Sequence, residues 1–203
     1  MNDLPFFTAP DGMASLVLRE IPRQGTAYVV VRCVFGSQEG LLRDCDSFCR
    51  GAGAKDILYS GNADFSGFAA AACLTERSLP RERLPETDAA AVATKDPRWV
   101  ELYNERFAAV PAARTYHAVP EGAYLVYDGE RLIGLGQVSG DEITAVASLE
   151  KGRGRDCLCA LAAKTNGPMI RLLCAEENLP AVRLYDGLGF SRDVIRERWY
   201  RRK

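Results

Sequence analysis

An apolar run of strand length, Met169-Ile170-Arg171-Leu172-Leu173-Cys174-Ala175, leads into Asn178-Leu179-Pro180 and a short helical stretch closed by Gly187-Leu188-Gly189-Phe190. Asn178 can cap that helix because its side-chain oxygen accepts one of the orphan N–H groups of the first turn. Pro180 is pre-set for the first turn, and the two glycines stop the helix before Phe190 returns to the core. The segment joins a strand end to a short helix carrying one tyrosine. Tyr185 is then displayed one helix length from the strand end.

The rest of the chain reads as α/β as well, and 203 residues suffice for one sizeable domain or two small ones. Ser15–Leu18 and Tyr28–Val34 are expected strands, followed by a helix from about Gly40 to Arg50 and a strand over Asp56–Tyr59. Gly67–Leu74 is expected to be a further strand. Ser78-Leu79-Pro80-Arg81-Glu82-Arg83-Leu84-Pro85-Glu86 reads as an exposed connector, which places a boundary near residue 86, between an N-terminal half 1–86 and a second domain 87–203. Asp96-Pro97 opens a helix to about Ala109, whose Trp99, Leu102, Tyr103 and Phe107 form an apolar stripe expected in the core. Asp128-Gly129 joins Ala123–Tyr127 to Leu132–Val138 as a hairpin, a third strand runs from Ile143 to Leu149, and Val194–Arg201 makes a last strand. The two halves echo each other: with Asn62 laid on Asn178 (178 − 62 = 116), Gly36 falls on Gly152 and strand–helix–strand on strand–helix–strand. An old duplication and a coincidence of two α/β segments both account for that match.

Composition removes several classes of function. A net charge of −1 and a pI near 6.0 give no basic field, so neither nucleic acid nor an anionic membrane surface is an expected partner. No segment approaches the roughly twenty apolar residues of a membrane span. The N-terminus lacks a signal peptide's basic start, so a cytoplasmic location is expected. Cys45 and Cys49, like Cys157 and Cys159, have the wrong spacing for a C-x-x-C site, and His117 is the single histidine. Buried thiols in a reducing compartment are expected, with no metal.

The segment Glu150-Lys151-Gly152-Arg153-Gly154-Arg155-Asp156 follows the third strand and opens a helix. Such a turn offers backbone N–H groups and the positive end of a helix dipole, which suits a pyrophosphate. Gly152 and Gly154 allow close approach, while Lys151, Arg153 and Arg155 add positive charge.

Asn178 to Phe190 resembles the asparagine–alanine–leucine–tyrosine–glycine–phenylalanine element that ends the conserved core of the GCN5-related N-acetyltransferases. The basic turn lies ahead of it in the order that family uses, with Lys151, Gly154 and Asp156 at the three defining positions of its coenzyme loop. The glycine fits, Lys151 is a like-charged substitute, and Asp156 departs from the pattern, because a carboxylate at the helix start repels pyrophosphate. Arg153 and Arg155 compensating, Asp156 turning outward, and a site that has lost the coenzyme are the readings open at this point.

The resemblance implies a mixed, mostly antiparallel sheet flanked by helices, with a smaller N-terminal half as a degenerate repeat. It implies acetyl-CoA as acyl donor and an amine of a small molecule or protein as acceptor. The backbone of Val146, Ala147 and Ser148 would pair with the pantetheine arm, Asn178 would contact the coenzyme, and Tyr185 would protonate the departing thiolate. Glu142, Glu150, His117, Trp199 and Tyr200 are weaker candidates for a base or for the acceptor wall. A non-catalytic binding module is the alternative, and a homodimer through an open sheet edge is a further option.

Overall fold

The computed structural model describes residues 2–108, 110 and 113–203. The chain forms two compact units, Met1–Cys73 with Glu197–Lys203, and Leu74–Arg196. In the first, β1 (Leu4–Ala9), β2 (Gly12–Val17), β3 (Thr26–Val34) and β4 (Asp56–Gly61) lie side by side in that order. A short α1 (Ile21–Gln24) and the longer α2 (Gln38–Gly51) fill the connections. Leu41, Leu42, Cys45 and Cys49 of α2 bury one face against Ala14, Leu16, Val29 and Val31, the packing that the helical spacing of those apolar residues requires. β1, whose Pro5, Phe6 and Thr8 are exposed and which lacks a β-branched run, is a strand that sequence pattern did not reveal.

The second unit contains most of β5 (Ala69–Pro80), then β6 (Ala90–Ala93), α3 (Arg98–Arg106), β7 (Ala123–Asp128), β8 (Arg131–Ser139) and β9 (Glu142–Ser148). It continues with α4 (Gly154–Ala162), β10 (Met169–Ala175), α5 (Leu179–Leu188) and the start of β11 (Ser191–Arg201). Its strand order is β5-β10-β9-β8-β7-β6, with β9 and β10 parallel and the remaining neighbours antiparallel. Leu158, Leu161, Val182 and Tyr185 of α4 and α5 join one core cluster with Val126, Ile170 and Leu172. Trp99 and Tyr103 of α3 join another with Leu125 and Leu135. Trp99 is fully buried and donates its indole N–H to the carbonyls of Tyr124 at 3.2 Å and Gly136 at 3.1 Å, so its one polar atom is satisfied. The end of this helix expected at Ala109 lies outside the described residues.

The connector expected over 78–86 begins only after Pro80, since residues 78–80 are the end of β5. Residues 74–80 pair with β10 along its whole length, Arg77 and Leu79 are fully buried, and the division of the chain falls at Cys73–Leu74 instead of near residue 86. The charge that suggested solvent is taken up internally: the Arg81 guanidinium donates to the carbonyls of Ala162, Thr165 and Gly167 at 2.7–2.9 Å, at the C-terminal end of α4. Five of the seven cysteines are buried thiols, whereas Cys33 and Cys73 are half-buried.

The echo between the halves is a recurrence of topology. Each unit has a hairpin, an antiparallel third strand, a helix and a parallel fourth strand. The offset of 116 carries the first residue of β3 to that of β9 (142 − 26) and the first residue of α2 to that of α4 (154 − 38).

Candidate functional site

Two parallel strands that pair only at their starts must open a gap further on. β9 and β10 are in register at Glu142↔Arg171 and Ile143↔Leu172 alone, although each strand has seven residues. The other edge of β9 stays paired with β8 through Ser148↔Gly134. Beyond Ile143 the β10-facing edge of β9 therefore borders a cleft. Within it lies a cavity of about 410 Å³, in the range of small-molecule sites. Val146, Ala147, Ser148, Gly152, Gly154, Arg155, Asn178 and Tyr185 all line it. A second cavity of about 80 Å³, lined by Thr144, Ala145, Leu172, Cys174 and others, shares Val146, Asn178 and Tyr185 with the first.

α4 aims its N-terminus at this cleft. No side chain caps it, and the first amide with an intrahelical acceptor is Cys157, bonded to the Arg153 carbonyl at 3.0 Å. The N–H groups of Gly154, Arg155 and Asp156 are the orphans of the helix start, suited to an anionic oxygen. Asp156 does not occupy them. Its carboxylate pairs with Arg153 at 3.0 Å and accepts from the Thr87 hydroxyl at 3.4 Å, which turns it away from the helix start. Arg153 also donates to Asp128 at 2.6 Å. Lys151, Arg153 and Asp156 are absent from the residues lining the cavity, and Arg153 is committed to carboxylates. Positive charge at the cavity comes from Arg155 and from Arg106 of α3, whose guanidinium also holds the Leu149 carbonyl at 3.1 Å. Arg106 and its neighbour Phe107 are site residues that sequence reading missed. The helical register placed Phe107 in a core stripe, and nothing in the sequence says that α3 ends over the cleft.

α5 supplies the other wall. Asn178 accepts the Ala181 N–H at 3.3 Å as the expected cap, worth about 1 kcal/mol, and Gly189 ends the helix in the left-handed conformation at φ 84°. Tyr185 is buried between these ends, with the Phe190 ring at 5.7 Å. Burial pushes its hydroxyl well above the ordinary phenol range, so the proton stays on at neutral pH. Below its ring, at 6.0 Å, sits the fully buried guanidinium of Arg77, which donates to Asp186 at 2.6 Å and Glu176 at 3.1 Å. The hydrogen bond from Arg77 holds Asp186 below the usual carboxylate range. Arg77 thus joins β5 to both ends of the α5 segment by charge-assisted bonds.

The weaker candidates lie elsewhere. Glu150 pairs with Arg131 at 2.6 Å, and His117 is exposed away from both cavities. Glu142 marks the paired start of β9; burial and the nearby Glu76 raise its pKa. Trp199 and Tyr200 do not wall this cleft, because they pack in the first unit against Tyr28 and Phe65, at 5.0 and 4.9 Å.

The counterpart in the first unit is closed. β3 and β4 pair over six positions, from Thr26↔Asp56 to Val31↔Gly61, and leave no gap. At the start of α2, the Ser37 hydroxyl accepts the Gly40 N–H at 3.1 Å and Asp11 accepts the Ser37 N–H at 2.8 Å. The Asp11 carboxylate lies so close to Gly36 and Gly40 that a Cβ at either would overlap it. An internal carboxylate holds the place that an anion would take. Where α5 follows β10 in the second unit, Phe65 and Phe68, clustered with Tyr59 of β4, follow β4 here.

This architecture is the fold of the GCN5-related N-acetyltransferases, a mixed and mostly antiparallel sheet flanked by helices, its element order repeated in two halves. A functionally unknown conserved protein from Staphylococcus epidermidis is similar with a TM-score of 0.61 and 12% identity, over 100% of this chain and 94% of that one. A GCN5-related N-acetyltransferase from Anabaena variabilis gives 0.58 and 12%, over 94% of this chain and 59% of that one. A tandem GNAT protein from the clavulanic acid biosynthesis pathway, solved without AcCoA, gives 0.53 and 17%, over 94% and 77%. No protein-family model and no curated protein matches the sequence. Among the described residues, no helix is long and apolar enough to cross a membrane.

Proposed function

We propose that the chain is an N-acyltransferase that moves the acetyl group of acetyl-CoA to a primary amine of a small molecule or protein. The observation that carries this reading is the meeting, at one cavity of about 410 Å³, of the splayed β9 edge, the uncapped α4 start and Tyr185. The donor suits each part. A pyrophosphate takes the orphan N–H groups of α4 with Arg106 and Arg155 beside it, and a pantetheine amide pairs with the free edge at Val146–Ser148 as an added strand would. That pairing orients the thioester beneath Tyr185, which gives its proton to the departing thiolate.

Calorimetric titration with acetyl-CoA is expected to give one equivalent per chain at micromolar affinity, because the first unit's cleft is zipped and its helix start already holds Asp11. Arg106→Ala and Arg155→Ala should each weaken binding about fivefold. Two equivalents would refute the closed first cleft, and no binding at millimolar ligand would sink the reading.

A second reading, a binding module with a drifted coenzyme loop, is favoured by the commitment of Arg153 to Asp128 and Asp156. Binding without transfer to any amine would support it. Asp156→Gly separates the two further, because a weakened enzyme should gain acetyl-CoA affinity and a repurposed module should be indifferent. With Asp156 turned toward Arg153, the substitution should raise acetyl-CoA affinity by no more than about fivefold, a gain limited to a screened charge near the helix start.

A further inference from the structure

A fully buried guanidinium lies beneath the tyrosine helix. Arg77 stands on β5 opposite Leu172 of β10, on the strand face it shares with the buried Thr75 and Leu79. Its Nη1 donates to Asp186 within α5 at 2.6 Å, and its Nη2 to Glu176, just ahead of that helix, at 3.1 Å. Tyr185 falls between the two carboxylates in the chain, and the guanidinium carbon is 6.0 Å from the centre of its ring. Arg77 is absent from the lining of both cavities, so any effect it has on a ligand there passes through Tyr185 and α5.

Stability is a poor account of an arginine at this place. Its Nε has no hydrogen-bond partner among the described residues, and a buried ion pair is commonly matched by apolar side chains of similar volume. Glu176 and Asp186 also have a second, solvent-exposed cation, since Arg192 of β11 reaches them at 3.6 and 3.2 Å. What Arg77 adds is a positive charge under the phenol. Burial and Cys174 hold the Tyr185 proton on, and Arg77 acts in the opposite sense.

We infer that Arg77 is a positioning residue for the transfer step, holding Tyr185 in place through Glu176 and Asp186 and offsetting the negative charge left on the phenol oxygen as its proton departs. The inference rests on the acyl-transfer reading above. In that step the amine nitrogen bonds to the acyl carbon as the C–S bond breaks. The sulfur takes the phenol proton, and the phenolate recovers one from the nitrogen, directly or through water. A phenolate in a buried place is costly unless an opposite charge stands near it, and a guanidinium stays charged at every working pH. Lysine would bring a point charge without the rigid fork that holds two carboxylates at once. The bond from Arg77 to Asp186 spans 109 positions, so the stretch ahead of residue 87 takes part in the site.

The test is a cycle of Arg77→Met and Tyr185→Phe, alone and together. Single-turnover release of the CoA thiol from bound acetyl-CoA is followed with butylamine, alanine amide or water as acceptor. Arg77→Met should slow release roughly 10–10²-fold, the usual loss when the support of a reacting group is removed, with acetyl-CoA affinity changed by less than about twofold. On the Tyr185→Phe background the same substitution should cost less than about twofold, because the hydroxyl it serves is already gone. An equal loss on both backgrounds would show that Arg77 only supports the fold and would overturn the inference. So would a full rate in Arg77→Met or in Tyr185→Phe. Should Arg77→Met fail to fold, Arg77→Lys carries the same comparison, with about a tenfold loss expected when Tyr185 is present and less than about twofold when it is not. Absent acetyl-CoA binding, or binding with thiol release to none of the three acceptors, would overturn the acyl-transfer reading and the inference with it.

Discussion

Replacing Tyr185 by phenylalanine is expected to lower kcat by roughly 10²–10⁴-fold, the usual contribution of a positioned general acid, with acetyl-CoA affinity changed by less than about twofold. The separation follows from what the side chain touches. Its ring packs on Phe190 and over Arg77, contacts that phenylalanine keeps, and only the hydroxyl is lost. Because burial keeps the phenol protonated throughout the neutral range, a proton is available whenever a thiolate forms. A thiolate of ordinary pKa near 8.5 is the weaker acceptor of the two conjugate bases, so the hydroxyl must act by position. Pre-steady-state transfer with bound acetyl-CoA reads the effect, and an unchanged rate removes Tyr185 from the mechanism.

Gly134→Val should destabilise the second unit by roughly 1–3 kcal/mol or more, the cost of overpacking a filled core, and lower the melting temperature by several degrees. At this position in β8 a Cβ would overlap the Cys157 sulfur of α4 and lie 2.8 Å from the Ala147 carbonyl of β9. Backbone cannot move aside as a flexible side-chain tip can, so α4 must lift from the sheet. Lifting α4 also withdraws Gly152, Gly154 and Arg155 from the cavity, so acetyl-CoA affinity should fall in the protein that remains folded. Gly51→Ala, at the end of α2 where nothing lies within 4 Å of the added Cβ, is the control and should be neutral or slightly stabilising. Equal melting temperatures for the two variants would count against close packing as the role of Gly134.

Local signals in the sequence carried much of the second unit. The cap at Asn178, the stop at Gly189, the Asp128-Gly129 hairpin and the strand Met169–Ala175 were all legible, because turn and cap chemistry act over a few residues and leave distinct residue types behind. The glycine-bearing turn with Gly152, Gly154 and Arg155 was legible in the same way, whereas Val146–Ser148, Asn178 and Tyr185 came to the cavity wall through the family resemblance. Where those signals were weak, as in β1, β6 and the charged stretch after Cys73, pattern misled. Arg81 looked solvated, and Arg77 went unread, because sequence does not show that the end of α4, Asp186 and Glu176 await them across about a hundred residues.

The sequence by itself determined the elements, the tyrosine helix and the glycine-bearing turn, because backbone propensity and side-chain period are local properties. Only tertiary structure decided that β9 parts from β10 while β3 stays on β4, that Asp156 turns to Arg153, and that Arg106 reaches the cleft. The strand parting and the reach of Arg106 depend on which distant group wins a packing position or a hydrogen bond, and the turn of Asp156 on Thr87 and Asp128 lying beside its near neighbour Arg153, a competition settled when the strands and helices are brought together.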